Sequence, residues 1–253
     1  MNRGSFIIFL FLVSQTLSAP EYGKKIQYDG CDPVALDDPP VVMSDSAISR
    51  PIYPIRRCTK TLIVVILDES GSMDVQKADV IGGYNSFVDN QRAIKNDQAR
   101  LILIKFSSGV NIAHRAIELA EVPHLTTSSY RPGGSTALYD AVSEGIRIAE
   151  TAANSDERVL VLIMTDGEEN SSKKATSSSV KAMIRKKEAL GTWTFAYIGQ
   201  NPDGWASQMG QSKHNVIVYD LQNQGSNMEK ASDAVAKFRA AAAPQSSAFF
   251  AQT

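Results

Sequence analysis

Carboxylate and hydroxyl side chains recur in three short segments of this chain, and all of them can act as oxygen ligands. The segments are DESGS at 68–72, GGSTALYD at 133–140 and TDG at 165–167. Oxygen donors without thiolate or imidazole suit a hard divalent cation such as Mg²⁺, Mn²⁺ or Ca²⁺. The three segments therefore predict a divalent-cation site, provided that the fold brings them together.

Strands and helices alternate from residue 61 onward. Short apolar runs rich in β-branched residues lie at 61–67, 100–106 and 158–164, with weaker versions at 192–198 and 215–219. Such runs are typical of strands that are buried on both faces. They predict the central strands of a parallel sheet.

A sixth and more polar strand is predicted at 110–114. The loop before it, 107–109, is too short for a helical crossover, so this strand should be antiparallel and lie at an edge. The alternation predicts an α/β fold, doubly wound and Rossmann-like, with a mostly parallel six-stranded sheet and helices on both faces. Ligands of such sheets bind beyond the carboxyl ends of the strands. The segments 68–72 and 165–167 directly follow predicted strands.

Four apolar stripes at helical spacing are expected to pack on this sheet. The last helix should begin with a capping box formed by Ser226 and Glu229 and end before Pro244. The stripes are Ala78, Ile81, Tyr84, Val88; Leu138, Ala141, Val142, Gly145, Ala149; Val180, Met183, Ile184; and Met228, Ala231, Val235, Phe238, Ala242.

The three segments resemble the metal-ion-dependent adhesion site of the von Willebrand factor type A (vWA) family, whose pattern is Asp-x-Ser-x-Ser, then Thr, then Asp. This chain has all five positions: Asp68, Ser70, Ser72, Thr136 and Asp166. The resemblance implies a vWA domain over 60–243. It implies that the three hydroxyls bind the metal directly and that the two carboxylates act mainly through bound waters, either being able to become a direct ligand. Mg²⁺ is the expected cation, with Mn²⁺ and Ca²⁺ as alternatives.

The expected function follows from the charge of such a site. Neutral hydroxyls leave much of the cation's charge uncompensated, so a Glu or Asp of a protein ligand would complete the metal shell. The alternatives are a metal-stabilised structural domain of an extracellular assembly and a metal-dependent hydrolase. No enzymatic activity is expected, because no histidine or lysine base is fixed by a motif and Ser70 lies outside a G-x-S-x-G elbow. Glu69, Glu168 and Glu169 are expected to be solvated, the alternative being that their negative charge strengthens the attraction of the cation.

Composition excludes several other classes of function. With 26 Lys and Arg against 27 Asp and Glu, the net charge is −1, which favours neither nucleic acid nor an anionic membrane as a partner. Two cysteines are too few for a four-thiolate zinc site, and the three histidines lie far apart.

The N-terminal part is expected to serve export. Residues 1–18 have the pattern of a secretory signal peptide, with Arg3 before an apolar run at 6–13 that is too short to span a bilayer. We therefore expect a secreted, extracellular protein whose mature chain does not insert into membranes.

A proline-rich arm at 19–59 follows the signal peptide and contains both cysteines. Cys31 and Cys58 are expected to form a disulfide in an oxidising compartment, the alternatives being free thiols or an intermolecular bond. Asn170 begins an N-glycosylation sequon, Asn-Ser-Ser. Residues 244–253 form a C-terminal tail that is either disordered or docked locally.

Overall fold

A six-stranded sheet organises the part of the chain that the computed structural model describes, which is residues 32–33, 56–57, 60–95, 97–219, 224–241 and 248–251. A separate antiparallel ribbon pairs β1 (Asp32–Pro33) with β2 (Arg56–Arg57). The strands of the main sheet are β3 (Lys60–Asp68), β4 (Gln98–Phe106), β5 (Val110–Glu118), β6 (Glu157–Met164), β7 (Trp193–Gly199) and β8 (Val216–Val218).

The order of strands across the sheet is β5-β4-β3-β6-β7-β8. All neighbours pair in parallel except β4 and β5, which are antiparallel, so β5 is an antiparallel edge strand. The first strand of the main sheet, β3, lies at its centre. The chain then adds β4 and β5 on one side and afterwards β6, β7 and β8 on the other. The predicted doubly wound α/β fold with one antiparallel edge strand is confirmed.

Within the described ranges, five α-helices cover the two faces of the sheet. They are α1 (Lys77–Arg92), α2 (Leu138–Ala152), α3 (Ser177–Glu188), α4 (Pro202–Met209) and α5 (Gln224–Ala240). In β3, Ile63, Val65 and Leu67 belong to the core shared with α1 and α5, whereas the alternate residues belong to the core shared with α2, α3 and α4. Because both faces are buried, β3 is apolar at every position from Leu62 to Leu67.

The predicted helices match the structure in part. The stripe of α2 is buried as expected, but Ala78 in α1 is exposed, and Val80 and Phe87 are buried instead. The sequence prediction did not include α4. The predicted capping box is wrong, because α5 begins at Gln224 and Ser226 therefore lies inside the helix. The capping-box pattern is local, and nothing in it prevents a helix from continuing towards its N-terminus.

The pairing of edge strand β5 with β4 shifts register between Leu101 and Leu103 and again between Leu103 and Ile104. Leu101 pairs with Ile117 and Leu103 pairs with His114, so two residues of β5 lie opposite one residue of β4. This is the arrangement of a β-bulge. Ala116, within the bulge, has a φ of 48°, in the left-handed region that favours glycine.

The C-terminal residues 248–251 dock against the domain. The Phe249 N–H donates to Asn215 Oδ1 over 2.9 Å, and the Phe250 N–H donates to the His214 carbonyl over 2.8 Å. Both phenyl rings are buried, and Phe249 lies 6.0 Å from Phe238 of α5 between ring centroids. Of the two alternatives for the tail, this segment follows local docking.

Several predictions fall outside the described residues. They are the signal peptide at 1–18, Cys31, Cys58, most of the arm at 19–59, and Ala242. In the parts of the chain that are described, no helix has both the length and the apolar character needed to cross a membrane.

Candidate metal centre

The three oxygen-rich segments meet at the carboxyl end of the central strands. Asp68 is the last residue of β3, and Asp166 lies two residues beyond the end of β6. Since β3 and β6 are parallel neighbours, with Leu67 paired to Met164, the loops that follow them leave the sheet side by side.

A chain of short contacts joins four of the five predicted ligands. The Ser70 N–H donates to Asp68 Oδ1 over 2.7 Å, and the Ser70 and Ser72 hydroxyl oxygens lie 3.1 Å apart. The Ser72 hydroxyl in turn donates to Asp166 Oδ1 over 2.6 Å. The loop after β3 therefore reaches the loop after β6 through these two serines.

Thr136 joins the same cluster from the segment that precedes α2. A Cβ atom built on Gly167 would lie 3.1 Å from Thr136 Oγ1 and 3.8 Å from Asp68 Oδ2. The hydroxyl and the carboxylate thus approach the same point, where a Cβ atom would make a tight contact with the threonine hydroxyl. In addition, the Gly71 N–H donates to the Gly134 carbonyl over 3.0 Å. The structure brings all five predicted residues together.

The burial of these residues sets the electrostatics of the cluster. Asp68, Ser70, Thr136 and Asp166 are at most 4% exposed, whereas Ser72 is exposed. Burial raises the pKa of Asp68 above its usual value, and the negative charge of Asp166 acts in the same direction. Hydrogen bonds from Thr165 and Ser70 oppose this rise without cancelling it.

The donor set fits a hard divalent cation. Two carboxylates and three hydroxyls are oxygen ligands of the kind that Mg²⁺ and Mn²⁺ accept. Within the described residues, no lysine, arginine or histidine forms an ion pair with Asp68 or Asp166. Buried carboxylates without a cationic partner are costly, and a bound cation would offset that cost. In the described part of the chain, no group of three or more His, Cys, Asp or Glu residues is arranged to hold a metal ion.

The comparisons with known proteins identify the family. The von Willebrand factor type A domain profile matches residues 63–234, which is most of the chain. The chain belongs to the vWA family. No curated protein matches the sequence.

Solved structures share the vWA fold with this chain at low identity. Proximal thread matrix protein 1 from the mussel byssus is 17% identical, with a TM-score of 0.52 over 70% of this chain and 48% of that one. The same protein "with zinc occupied MIDAS motif" is 18% identical, with a TM-score of 0.50 over 69% and 48%. The pilus adhesin SpaC from Lactobacillus rhamnosus GG is 14% identical, with a TM-score of 0.54 over 71% and 30%. This chain spans about half the length of the first of these structures, and the likeness shows the fold alone.

Glu69 of the vWA motif loop is not solvated, and that prediction is wrong. Its carboxylate is buried and accepts from the Lys105 ammonium at 2.9 and 3.1 Å. The Arg131 N–H also donates to this carboxylate, and the Lys105 ammonium donates to the Ser129 carbonyl. Glu69 and Lys105 therefore attach the loop before Thr136 to the ends of β3 and β4.

The sequence contains an indication that Lys105 is buried and paired. Lys105 is the only charged residue inside the apolar run at 101–106, and a buried lysine almost always has a partner. The identity of that partner depends on which loop the fold places beside it. Tyr130 has a related role, since its hydroxyl donates to the Asp68 carbonyl over 2.6 Å.

Glu169 is likewise engaged, whereas Glu168 is exposed as expected. Glu169 Oε1 accepts from the Ser171 and Ser172 N–H groups at 2.8 and 2.7 Å. Its Oε2 accepts from the Tyr139 N–H at 2.9 Å and from the Ser172 hydroxyl at 2.6 Å. Glu169 thus connects the loop after Asp166 to the first turn of α2.

Proposed function

We propose that this vWA domain binds a divalent cation at Asp68, Ser70, Ser72, Thr136 and Asp166 and, through it, a protein ligand. The observation that carries the proposal is the convergence of three hydroxyls and two buried carboxylates at the carboxyl end of β3 and β6. Mg²⁺ is the proposed cation, with Mn²⁺ and Ca²⁺ as alternatives. The mussel structure described with a zinc-occupied motif supports a divalent ion at this position of the fold.

The residues of the site would contribute two kinds of oxygen ligand. Ser70, Ser72 and Thr136 present neutral hydroxyl oxygens, while Asp68 and Asp166 carry the negative charge. When bound, the cation supplies an open coordination position with residual positive charge, which an acidic side chain of a partner can fill. Ser72 is the exposed member of the set, so it marks the side from which such a partner would approach.

Substitution of Thr136 by valine tests the metal site with little change in shape. Titration calorimetry with Mn²⁺ should show binding to the wild-type protein and an affinity reduced at least about tenfold in Thr136→Val. Thr151→Val is the matched control, because the Thr151 hydroxyl donates only within α2, to the Ile148 carbonyl at 2.9 Å and the Arg147 carbonyl at 3.4 Å. Equal Mn²⁺ affinity of the two variants would contradict the proposal.

A structural cation is the second candidate, and the burial of four of the five residues favours it. The two functions differ in what removal of the metal does to partners. A pull-down from extracellular fluid with Mg²⁺ or with EDTA should recover a partner only with Mg²⁺, and Thr136→Val should lose it while keeping its fold. If EDTA lowers the unfolding temperature but retains every partner, the structural function is correct.

Secretion and the disulfide belong to the same proposal. β1 and β2 pair Asp32 with Arg57, and these are the chain neighbours of Cys31 and Cys58. After expression in a secretory host, we expect the mature chain to begin at Ala19 and its intact mass to be lower by two hydrogens than that of the reduced form. A retained N-terminus, or alkylation of both cysteines without reduction, would contradict this part.

No enzymatic activity is proposed. Two carboxylates beside a cation could activate water, so hydrolysis is the rival function. Within the described residues, neither a histidine nor a lysine forms an ion pair with Asp68 or Asp166, and binding is therefore the proposal that we favour.

A further inference from the structure

Asn170 makes hydrogen bonds to both the N–H and the carbonyl group of Thr136. The Thr136 N–H donates to Asn170 Oδ1 over 2.8 Å. In return, the Asn170 and Ser171 N–H groups donate to the Thr136 carbonyl at 3.0 and 3.3 Å. Both backbone polar groups of Thr136, its N–H and its carbonyl, are thereby satisfied by the loop that carries Asp166.

This attachment continues into the first turn of α2. Ala137, at the N-cap of α2, makes no capping bond with its side chain, so the helix takes its caps from elsewhere. The Tyr139 N–H is satisfied by Glu169 and the Asp140 N–H by the Ser172 hydroxyl at 3.0 Å. The start of α2 and the segment 169–172 therefore form one hydrogen-bonded unit.

Thr136 follows a segment that makes hydrogen bonds of its own: the Gly133 N–H donates to the Glu69 carbonyl and the Ser135 N–H donates to Ser108 Oγ, both over 2.9 Å. Gly133 and Gly134 precede Thr136, and Gly134 has a φ of 81°, which glycine adopts at no steric cost. The Ala137 N–H does donate to the Ser107 carbonyl over 2.8 Å, so the next residue is anchored independently. The N–H and carbonyl groups of Thr136 itself are held from the other side, by the Asn170 side chain and by the Asn170 and Ser171 N–H groups.

We propose that Asn170 is a positioning residue of the metal centre, with its side-chain oxygen fixing Thr136 so that the threonine hydroxyl faces Asp68 and Asp166. The inference rests on the proposed function, because positioning matters to binding only if the site holds a cation. Asn170 is exposed, so loss of its side chain should affect the site more than the core. Outer residues that orient metal ligands typically contribute about 10- to 100-fold in metal affinity.

Three variants, produced in a host that does not glycosylate, test this role. Asn170→Ala removes the acceptor, whereas Asn170→Asp keeps an oxygen in the same place. Asn201→Ala is the matched control, since Asn201 Oδ1 also accepts a backbone N–H, that of Gly204 at 3.0 Å, but caps α4 instead of holding a ligand. Calorimetry with Mn²⁺ should show at least about tenfold weaker binding for Asn170→Ala and wild-type affinity for Asn201→Ala. Asn170→Asp should recover most of the loss.

Hydrogen exchange of individual amides provides a second readout that needs no metal. In EDTA, the Thr136 amide should exchange faster in Asn170→Ala than in the wild type, while the Ala137 amide keeps its protection. Unchanged protection of Thr136, or wild-type Mn²⁺ affinity of Asn170→Ala, would overturn the inference. If the wild-type protein binds no cation, the proposed function fails and the positioning role in metal binding is overturned with it, whereas the exchange data still show whether Asn170 holds Thr136.

Discussion

Replacing Lys105 with methionine removes the ammonium group that pairs with the buried Glu69 carboxylate. The side chains of Lys105 and Glu69 are only 7% and 12% exposed, so water cannot take over the role of the ammonium. Breaking a buried ion pair by removing one partner costs about 3–5 kcal/mol, because the other charge stays buried and uncompensated. That is a large part of the roughly 5–15 kcal/mol by which domains are stable.

The double variant Lys105→Met/Glu69→Gln separates the cost of the unpaired charge from the loss of packing. Glutamine removes the charge but keeps an oxygen for the Arg131 N–H. We therefore expect the double variant to unfold within about 1–2 kcal/mol of the wild type, since neutral replacements of buried pairs are often tolerated. Urea denaturation followed by circular dichroism in EDTA gives these free energies without a contribution from metal.

Two results would refute this reasoning. If Lys105→Met lowers the free energy of unfolding by less than about 1 kcal/mol, the Lys105–Glu69 pair contributes no more than an exposed surface ion pair. A double variant as unstable as Lys105→Met would show that the loss comes from packing of the lysine stem and not from the unpaired carboxylate.

Three further predictions concern stability. Ala116→Gly relieves the left-handed backbone of β5 and should raise the free energy of unfolding by up to about 1 kcal/mol in urea denaturation; a decrease would contradict it. Although burial works against it, three backbone N–H groups of residues 173–175 hold the pKa of Asp140 below its usual value. Asp140 therefore stabilises the fold above about pH 4, and this contribution disappears as the pH falls through the lowered pKa. The difference in unfolding free energy between wild type and Asp140→Asn should shrink from pH 7 to pH 3, and a constant difference would refute this. Phe250→Ala should cost about 3 kcal/mol in thermal unfolding, because the ring is buried and stacks edge-on to Phe249, and an unchanged stability would mean that the tail does not dock in solution.

The fold could be predicted because its signals are local and strong. Runs such as 61–67 and 158–164 are apolar at successive positions, which only strands buried on both faces require. The short loop 107–109 gave the antiparallel edge. α4 was missed because its eight residues include a proline and a glycine and follow an asparagine cap, a combination that resembles a loop when it is viewed without the sheet beneath it.

The candidate site could be predicted only in its inner part. Asp68, Ser70, Ser72, Thr136 and Asp166 are set by motif spacing and by the ends of predicted strands. Their supports are Glu69, Lys105, Glu169 and Asn170, and these depend on pairs that are 30 or more residues apart. No local pattern shows that a glutamate beside the motif is buried against a lysine of the next strand, so both engaged glutamates were expected to be solvated.

A crystal structure of the protein grown with Mn²⁺ tests the central claim most directly. Anomalous scattering from manganese locates the ion without reference to any assumption about its ligands. We predict a single strong peak enclosed by Asp68, Ser70, Ser72, Thr136 and Asp166. A fully ordered site without such a peak at saturating Mn²⁺, or a peak bound by other side chains, would contradict the account.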